Sequence, residues 1–426
     1  MIIILITLDC LRKDHFGGEL TPFFNGGLGD WVSFTNGFSQ SQNTLSSHFT
    51  MLTSNYLFQH GVYSNFKGKK LPSYSLDKRL REAGFGAKAV CGVSFLSSLL
   101  GNQMGEKDDY FELSGGRIIN AFKRRIRGER RSAEKVVASG LRWLLESPPR
   151  DGKFLWMHFF DAHMAYSAPR RFMKKFIPRE RSSKSVREQI TQKGWFSPYF
   201  KDYEQKVPLE HFPEAYKAAV SYIDHTLGIF FSMLKQFGLF DGALIFVTSD
   251  HGECLNGDHD IYCAHKKLFD ETINVPFFVK FPGSEFGGRS SGLIVEHTDI
   301  APTAAGYVLG KTQEYMGSDL RALLKGETVP RKYAFSEHVD NYMRSIRDRD
   351  NIFVEIVEGM ENKWGMKVER EKLFRRNGDP LADAGLESSM LEDMSSFMRM
   401  NASSSRADDL GRDGEIEEQL RSLGYL

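Results

Sequence analysis

The sequence predicts an α/β protein: a large, mostly parallel central sheet flanked by helices over residues 1–330, then a smaller α+β subdomain over 331–426. Three observations carry this. Apolar, β-branched runs recur along the chain and end in Asp or His, as buried parallel strands do when they deliver polar side chains to their carboxyl edge. Stretches of helical periodicity lie between them, and alternation of strand with helix points to a parallel sheet covered on both faces. After about residue 330 the texture changes to short segments separated by turn residues, the mark of antiparallel strands.

In chain order, "IIILITLD" (2–9) is a continuous apolar run closing on Asp9. "SQNTLSSHFTMLT" (41–53) places Thr44, Ser46, Ser47 and His48 at the head of a segment, where hydroxyl residues commonly satisfy free helix amides. "AEKVVASGLRWLLES" (133–147) has apolar residues at i, i+3, i+4 and i+7, as does 215–238, which closes on a glycine. "KFLWMHFFDAH" (153–163) ends in Asp161 and His163, "GALIFVTSDHGE" (242–253) in Asp250-His251, and "VPFFVKFPG" (275–283) is a fourth strand. "YAFSEHVDNYMRSIRDRDNIFVEIV" (333–357) reads as two or three antiparallel strands with a turn at "DRDN". "MNASSSRADD" reads as a loop and "GEIEEQLRSLGYL" as a short amphipathic terminal helix.

Composition narrows the function. A chain of 426 residues that is 41% hydrophobic and 13% aromatic holds a large core. A net charge of +1 gives no global field toward nucleic acid or membrane, although 117–131 ("RIINAFKRRIRGERR") is locally basic: a solvated face, or a device that steers an anion. Four scattered cysteines without a CxxC pair predict free thiols and a cytoplasmic setting. No apolar run approaches the roughly 20 residues of a membrane span. A homo-oligomer is left open.

In parallel α/β sheets ligands bind beyond the carboxyl ends of the strands. Asp9 and Asp250-His251 both fall at such ends, and clustered carboxylates with histidine suit a divalent cation. A hydroxyl brought to that cation loses its proton more readily and becomes a nucleophile.

These segments resemble the sulfatase-like branch of the alkaline phosphatase superfamily. "ILITLDCLRKDHFG" is similar to its opening strand and metal-binding acid, and "NGFSQSQNTLSSHFTMLTSNYLFQHGV" to its nucleophile loop. "FLWMHFFDAHMAY" resembles its substrate-histidine motif and "LIFVTSDHGE" its second metal motif. "AHKKLFDETINVPFFVKFPG", "EHTDIAPTAAGYVLG" and the closing "LRSLGYL" continue the likeness.

The resemblance implies an ester hydrolase with an alkaline phosphatase/sulfatase-like fold. Asp9, Asp250, His251 and Thr44 would bind one divalent ion (Mn, Mg, Ca or Zn). A second ion could recruit Asp161, His163 or His265, although their spacing departs from the related phosphodiesterases. Family sulfatases carry Cys-x-Pro-Ser-Arg at the nucleophile, with the cysteine oxidised to formylglycine. Here the matching residues are Thr44-Leu45-Ser46-Ser47-His48, so no formylglycine is expected and Thr44 becomes the nucleophile. His48, in place of the arginine, would hold the nucleophile or an anionic oxygen. His163 would contact the ester or protonate the leaving oxygen, and His265, with Lys266 as its rival, would face the substrate anion. Asp14, His15, Asp258 and His259 stay unassigned. The family's Lys-x-His segment has no counterpart in "KAVCGVSFLSS".

A threonine ester cannot expel sulfate by breaking its own C–O bond as a formylglycine diol does. The expected substrates are therefore phosphate or phosphonate esters ahead of sulfate esters, as small molecules or carbohydrate-linked anions. A phospho-alcohol headgroup transferase using the same site, or a non-catalytic anion- or glycan-binding protein, are the alternatives.

Overall fold

The computed structural model describes residues 1–62, 65, 71–72, 74–93, 96, 130–146, 152–164, 166–177, 211–255, 263–265, 267–310, 314–338, 343–356, 373–375 and 381–401. Seven strands form the main sheet: β1 Ile2–Leu8, β2 Val32–Phe38, β3 Gly86–Cys91, β4 Lys153–Phe159, β5 Ala243–Thr248, β6 Phe277–Lys280 and β7 Ser290–Glu296. Their spatial order is β3-β4-β1-β5-β6-β2-β7. β3, β4, β1 and β5 run parallel, as expected, and β2 pairs parallel with β7. β6, expected within a largely parallel sheet, is antiparallel to both of its neighbours. Among the described residues between them the connection from β5 carries a short helix at Asp270–Ile273 and no long crossover helix, and the chain re-enters the sheet from the edge at which it left.

The apolar runs alternate between two cores. Ile4, Ile6, Leu8, Leu155, Met157 and Val247 point to one face, covered by α2 (Ala133–Glu146) and α3 (Phe212–Gln236). Ile3, Leu5, Phe154, Trp156 and Phe246 point to the other, covered by α1 (Thr44–Thr53) and α4 (Ile300–Leu309). Each such side chain removed from water contributes roughly 1.5–3 kcal/mol, which explains why both faces of these strands read as unbroken apolar sequence. α2 approaches the sheet closely at Gly140, where a Cβ would lie 2.7 Å from Met157 Sδ.

A second, four-stranded antiparallel sheet runs β11-β10-β9-β8, with β8 Ala334–His338, β9 Met343–Arg347, β10 Asn351–Ile356 and β11 Leu373–Arg375. The expected turn is present: Asp348 Oδ1 accepts the amides of Asp350 and Asn351. α5 (Ala384–Asn401) packs on this sheet through Met390 and Met394. The two sheets are tied by a buried ionic cluster, in which Arg331 pairs with Glu296 and Asp299 and the amide of Phe335 donates to Glu296 Oε1 at 2.8 Å.

Among the described residues no helix is long and apolar enough to cross a membrane. The expectations for most of 117–131, for Asp258, His259 and Lys266, and for the tail beyond residue 401 lie outside the described residues.

Candidate active site

The carboxyl ends of the adjacent strands β4, β1 and β5 bring four polar residues to one point. Asp9 follows β1, Asp250 and His251 follow β5, and His158 is the penultimate residue of β4. The start of α1 sets Thr44 above them. All five side chains are fully buried. Thr44 Oγ1 lies 3.4 Å from Asp9 Oδ2 and 3.3 Å from His251 Nε2. His251 Nδ1 donates to Gly252 O at 2.9 Å, so Nε2 presents its lone pair to the threonine hydroxyl. His158 Nε2 contacts Asp9 Oδ2 at 3.0 Å.

Asp250 is oriented by backbone: its Oδ1 accepts the amides of Cys10 (3.2 Å) and His251 (2.8 Å). Cys10 reaches this position in a left-handed conformation, φ +59°, uncommon for a side chain of its size. Its Sγ lies 3.8 Å from His251 Nδ1, the ring edge opposite Thr44. Burial, joined by the charge of Asp9, holds the Asp250 carboxyl above its ordinary value, and burial pushes the Cys10 thiol well up.

His48 lies one helical turn below Thr44 in α1. Its Nδ1 donates to Thr44 O at 2.7 Å and its Nε2 meets Thr7 Oγ1 at 3.0 Å, while Trp156 Nε1 donates to the same hydroxyl at 2.9 Å. Both ring nitrogens therefore have protein partners, and burial drops the imidazole to about 3, keeping it neutral. Ser47 Oγ bonds Ser41 O and Ser39 Oγ, and Ser39 Oγ in turn donates to Asp250 O, so the hydroxyls ahead of α1 brace the loop. Ser46 Oγ is buried with no partner among the described residues.

His163 and His265 occupy the outer side. The His163 ring stacks on Phe160 at 4.3 Å and donates from Nδ1 to Met164 O at 2.6 Å; burial lowers it to about 4. The half-buried His265 has its ring 4.5 Å from that of His251 and 6.4 Å from that of His163. Asp161 points elsewhere: its Oδ1 accepts the amide of Ala133 at the start of α2, and burial pushes its carboxyl to about 7. Asp14 pairs with Arg12 and His15.

Sequence reasoning assigned no role to His158, Cys10 or Glu253. The first two belong to the cluster, and Glu253 is buried beside it, held by Tyr166 OH at 2.7 Å and pushed by burial to about 8. A signal for His158 did exist. Thr7, His158 and Thr248 share one register row across three otherwise apolar strands, a polar line just beneath the edge.

The residues fit a cation. Asp9 Oδ1 and Asp250 Oδ2 are buried carboxylate oxygens with no hydrogen-bond donor among the described residues. Ligand atoms of Asp9, Cys10 and His251 lie within 4.8 Å of one another, as do those of His48, His158 and Asp250. Buried anionic oxygens without donors are costly unless a positive charge meets them, and carboxylates with an imidazole are the donor set of a divalent metal.

Comparison with known proteins gives the same placement. A family model described as sulfatase matches residues 2–310. An arylsulfatase of Clostridium perfringens is 22% identical over 230 residues, covering 50% of this chain and 47% of that protein. The multifunctional alkaline phosphatase superfamily protein PehA of Trinickia caryophylli is 33% identical over 110 residues, 26% of this chain and 21% of the relative. The chain thus spans about half or less of the length of these curated relatives. Among solved structures, the phosphonate monoester hydrolase of Silicibacter pomeroyi superposes with TM-score 0.67 at 18% identity, covering 94% of this chain and 95% of the other. A protein solved with its substrate D-glucosamine-2-N,6-O-disulfate gives TM-score 0.70 at 14% identity, covering 95% and 99%. With a metal-type cluster at the carboxyl edge of the expected sheet and a family match over most of its length, this chain belongs to the sulfatase family.

Proposed function

We propose that the protein is a metal-dependent ester hydrolase in which Thr44 is the nucleophile, and that it acts on phosphate or phosphonate esters ahead of sulfate esters. The observation that carries this reading is the Thr44 hydroxyl set between Asp9 and His251, beside two buried carboxylate oxygens that lack donors among the described residues. Asp9, Asp250 and His251, with Thr44 Oγ1, would hold a single divalent ion, which when bound supplies Lewis-acid stabilisation of charge on the ester's nonbridging oxygens.

The remaining chemistry belongs to side chains. Thr44 Oγ1 has Asp9 Oδ2 as the acceptor for its proton, the Nε2 lone pair of His251 being committed to the ion. Attack forms a bond from Oγ1 to phosphorus and breaks the bond to the leaving alcohol oxygen; water then cleaves the threonine ester and releases the acid. His48 fixes the Thr44 carbonyl, and with it the first turn of α1, so it positions the nucleophile instead of meeting the substrate. His163 begins neutral, with its Nδ1 proton on Met164 O. An oxyanion arriving beside it favours the imidazolium, so protonation of the leaving oxygen follows substrate binding. Phosphoryl substrates are favoured because a threonine ester must be released by attack at the central atom. All four cysteines are buried thiols outside any disulfide, which suits the reducing cytoplasm expected from the sequence.

The test is turnover of p-nitrophenyl sulfate, p-nitrophenyl phosphate, a phenylphosphonate ester and bis-p-nitrophenyl phosphate by protein reconstituted with each divalent metal. Phosphonate ester and diester should lead. Thr44→Ala should lose at least about a thousandfold in kcat on the best of them, with Thr44→Ser retaining part of the activity. Equal activity in Thr44→Ala would remove the threonine from the mechanism.

A further inference from the structure

We propose that Arg130 forms a second anion subsite, outside the reacting centre, that selects esters whose leaving alcohol carries a further oxyanion such as a carboxylate or a second sulfate. This rests on the ester-hydrolase reading above and adds a substrate class to it.

Arg130 is the penultimate residue of the basic stretch 117–131, whose alternative sequence reading was the steering of an anion. It is brought to the active-site edge by backbone. Residue 130 forms an antiparallel bridge with Val93, just past the end of β3, and the Arg131 amide donates to Gly92 O at 2.7 Å. The guanidinium is held on two sides: Cζ lies 4.7 Å from the centre of the Phe160 ring, and Nη2 donates to Met164 O at 3.0 Å. Phe160 is the ring on which His163 stacks, and Met164 O is the acceptor of His163 Nδ1. Arginine and histidine therefore share one aromatic support and one carbonyl.

The guanidinium keeps open donors. Among the described residues Arg130 has no ion pair with a carboxylate, and one hydrogen bond occupies one of its five N–H groups. The side chain is half-buried. A fixed, partly desolvated guanidinium with open donors is a fork for a carboxylate or sulfate. Its distance from the chemistry sets which group it meets. His163 spends its Nδ1 edge on Met164 O and leaves the other edge to the cluster with Cys10 and His265. Arg130 shares the Phe160 ring and the Met164 carbonyl with His163, the residue assigned to the leaving oxygen, so an oxyanion carried on the leaving alcohol is the group it would meet. The positive charge of Arg130 also adds to burial in keeping His163 neutral until an anion arrives.

The test is calorimetric binding of non-hydrolysable ligands to full-length protein loaded with Mn2+. Phenylphosphonate probes the reacting centre alone; 3- and 4-carboxyphenylphosphonate add an oxyanion on the ring. Wild type should bind one of the carboxylated ligands about tenfold more tightly than phenylphosphonate, the scale of one charge-assisted hydrogen bond. Arg130→Gln should abolish that preference while leaving phenylphosphonate affinity within about twofold, and Arg130→Lys should restore part of it. Equal binding of all three ligands by wild type, or a preference that survives in Arg130→Gln, overturns the subsite and leaves the hydrolase reading intact. If wild type binds no phosphonate, the reacting centre itself has been misread and the subsite falls with it.

Discussion

Replacing Asp250 by Asn should change stability in opposite directions with and without metal. In wild type, Asp250 Oδ1 accepts two backbone amides, while Oδ2 lies 3.5 Å from His251 Nε2 and has no hydrogen-bond donor among the described residues. Asn keeps the amide acceptor, removes the charge that burial and Asp9 both disfavour, and turns an NH2 toward the acceptors Asp9 and His251 Nε2. In EDTA, relief of one unsatisfied buried charge is worth about 1–3 kcal/mol, so the variant should unfold at higher urea than wild type. With metal present at about one hundred times its dissociation constant, wild type gains about 2.7 kcal/mol by mass action. The variant, short of one anionic ligand, gains little. Urea melts at pH 8 in EDTA and in excess Mn2+ give all four values. The reasoning is refuted if Asp250→Asn is the less stable protein in EDTA, or if added metal stabilises both proteins alike.

Three other perturbations have firm expectations. Gly252→Ala should cost about 2–3 kcal/mol, because a Cβ there would sit 2.1 Å from Glu271 O, a backbone atom that cannot swing aside; a loss below about 0.5 kcal/mol in urea melts would show the loop to be more yielding than described. Arg331→Met strands Glu296 and Asp299, which are nearly wholly buried, and should cost about 3–5 kcal/mol at pH 8. Protonation of the orphaned pair at pH 5 should return part of this, and a pH-independent loss counts against the ionic account. Glu337→Gln probes pH directly. Burial raises the Glu337 carboxyl from 4.5 to about 7, so between those values the folded state keeps a proton that the unfolded state has lost. Wild type therefore loses stability as pH rises through that window, by up to about 3 kcal/mol. Gln keeps the acceptor for the Phe58 amide and has no proton to lose, so its advantage should grow from pH 4.5 to 7 and then level off. Parallel stability curves for the two proteins would exclude this.

What was legible in the sequence follows from burial. β1, β4 and β5 are covered on both faces, so their residues must all be apolar and their polar ends stand out; Asp9, Asp250 and His251 could be found that way. β2 could not, because "VSFTNGF" mixes Thr35 and Asn36 into a strand paired on both sides, and a register shift falls between Phe34 and Asn36. The direction of β6 depends on what connects it to β5, which periodicity does not encode. In the site, residues beyond strand ends were visible and a residue inside a strand was not: His158 shares a strand face with Trp156 and reads as core until the register with Thr7 is known. His48 was found as a candidate, but the direction of its ring depends on Thr7 and Trp156, contributed by two strands far from it in sequence.

The close pairing of β1 with β5 has a consequence for how this protein comes into being. Asp9 is synthesised well before the acid and imidazole that complete its cluster, which come some 240 positions later, as in the Cys10-to-Asp250 contact. Closing so long a loop is slow, and a nascent chain emerging at about 5–20 residues per second must hold β1 unpaired on that side until β5 has left the ribosome. The growing polypeptide therefore has no competent site with which to capture a metal ion, and metal acquisition becomes a property of the finished fold.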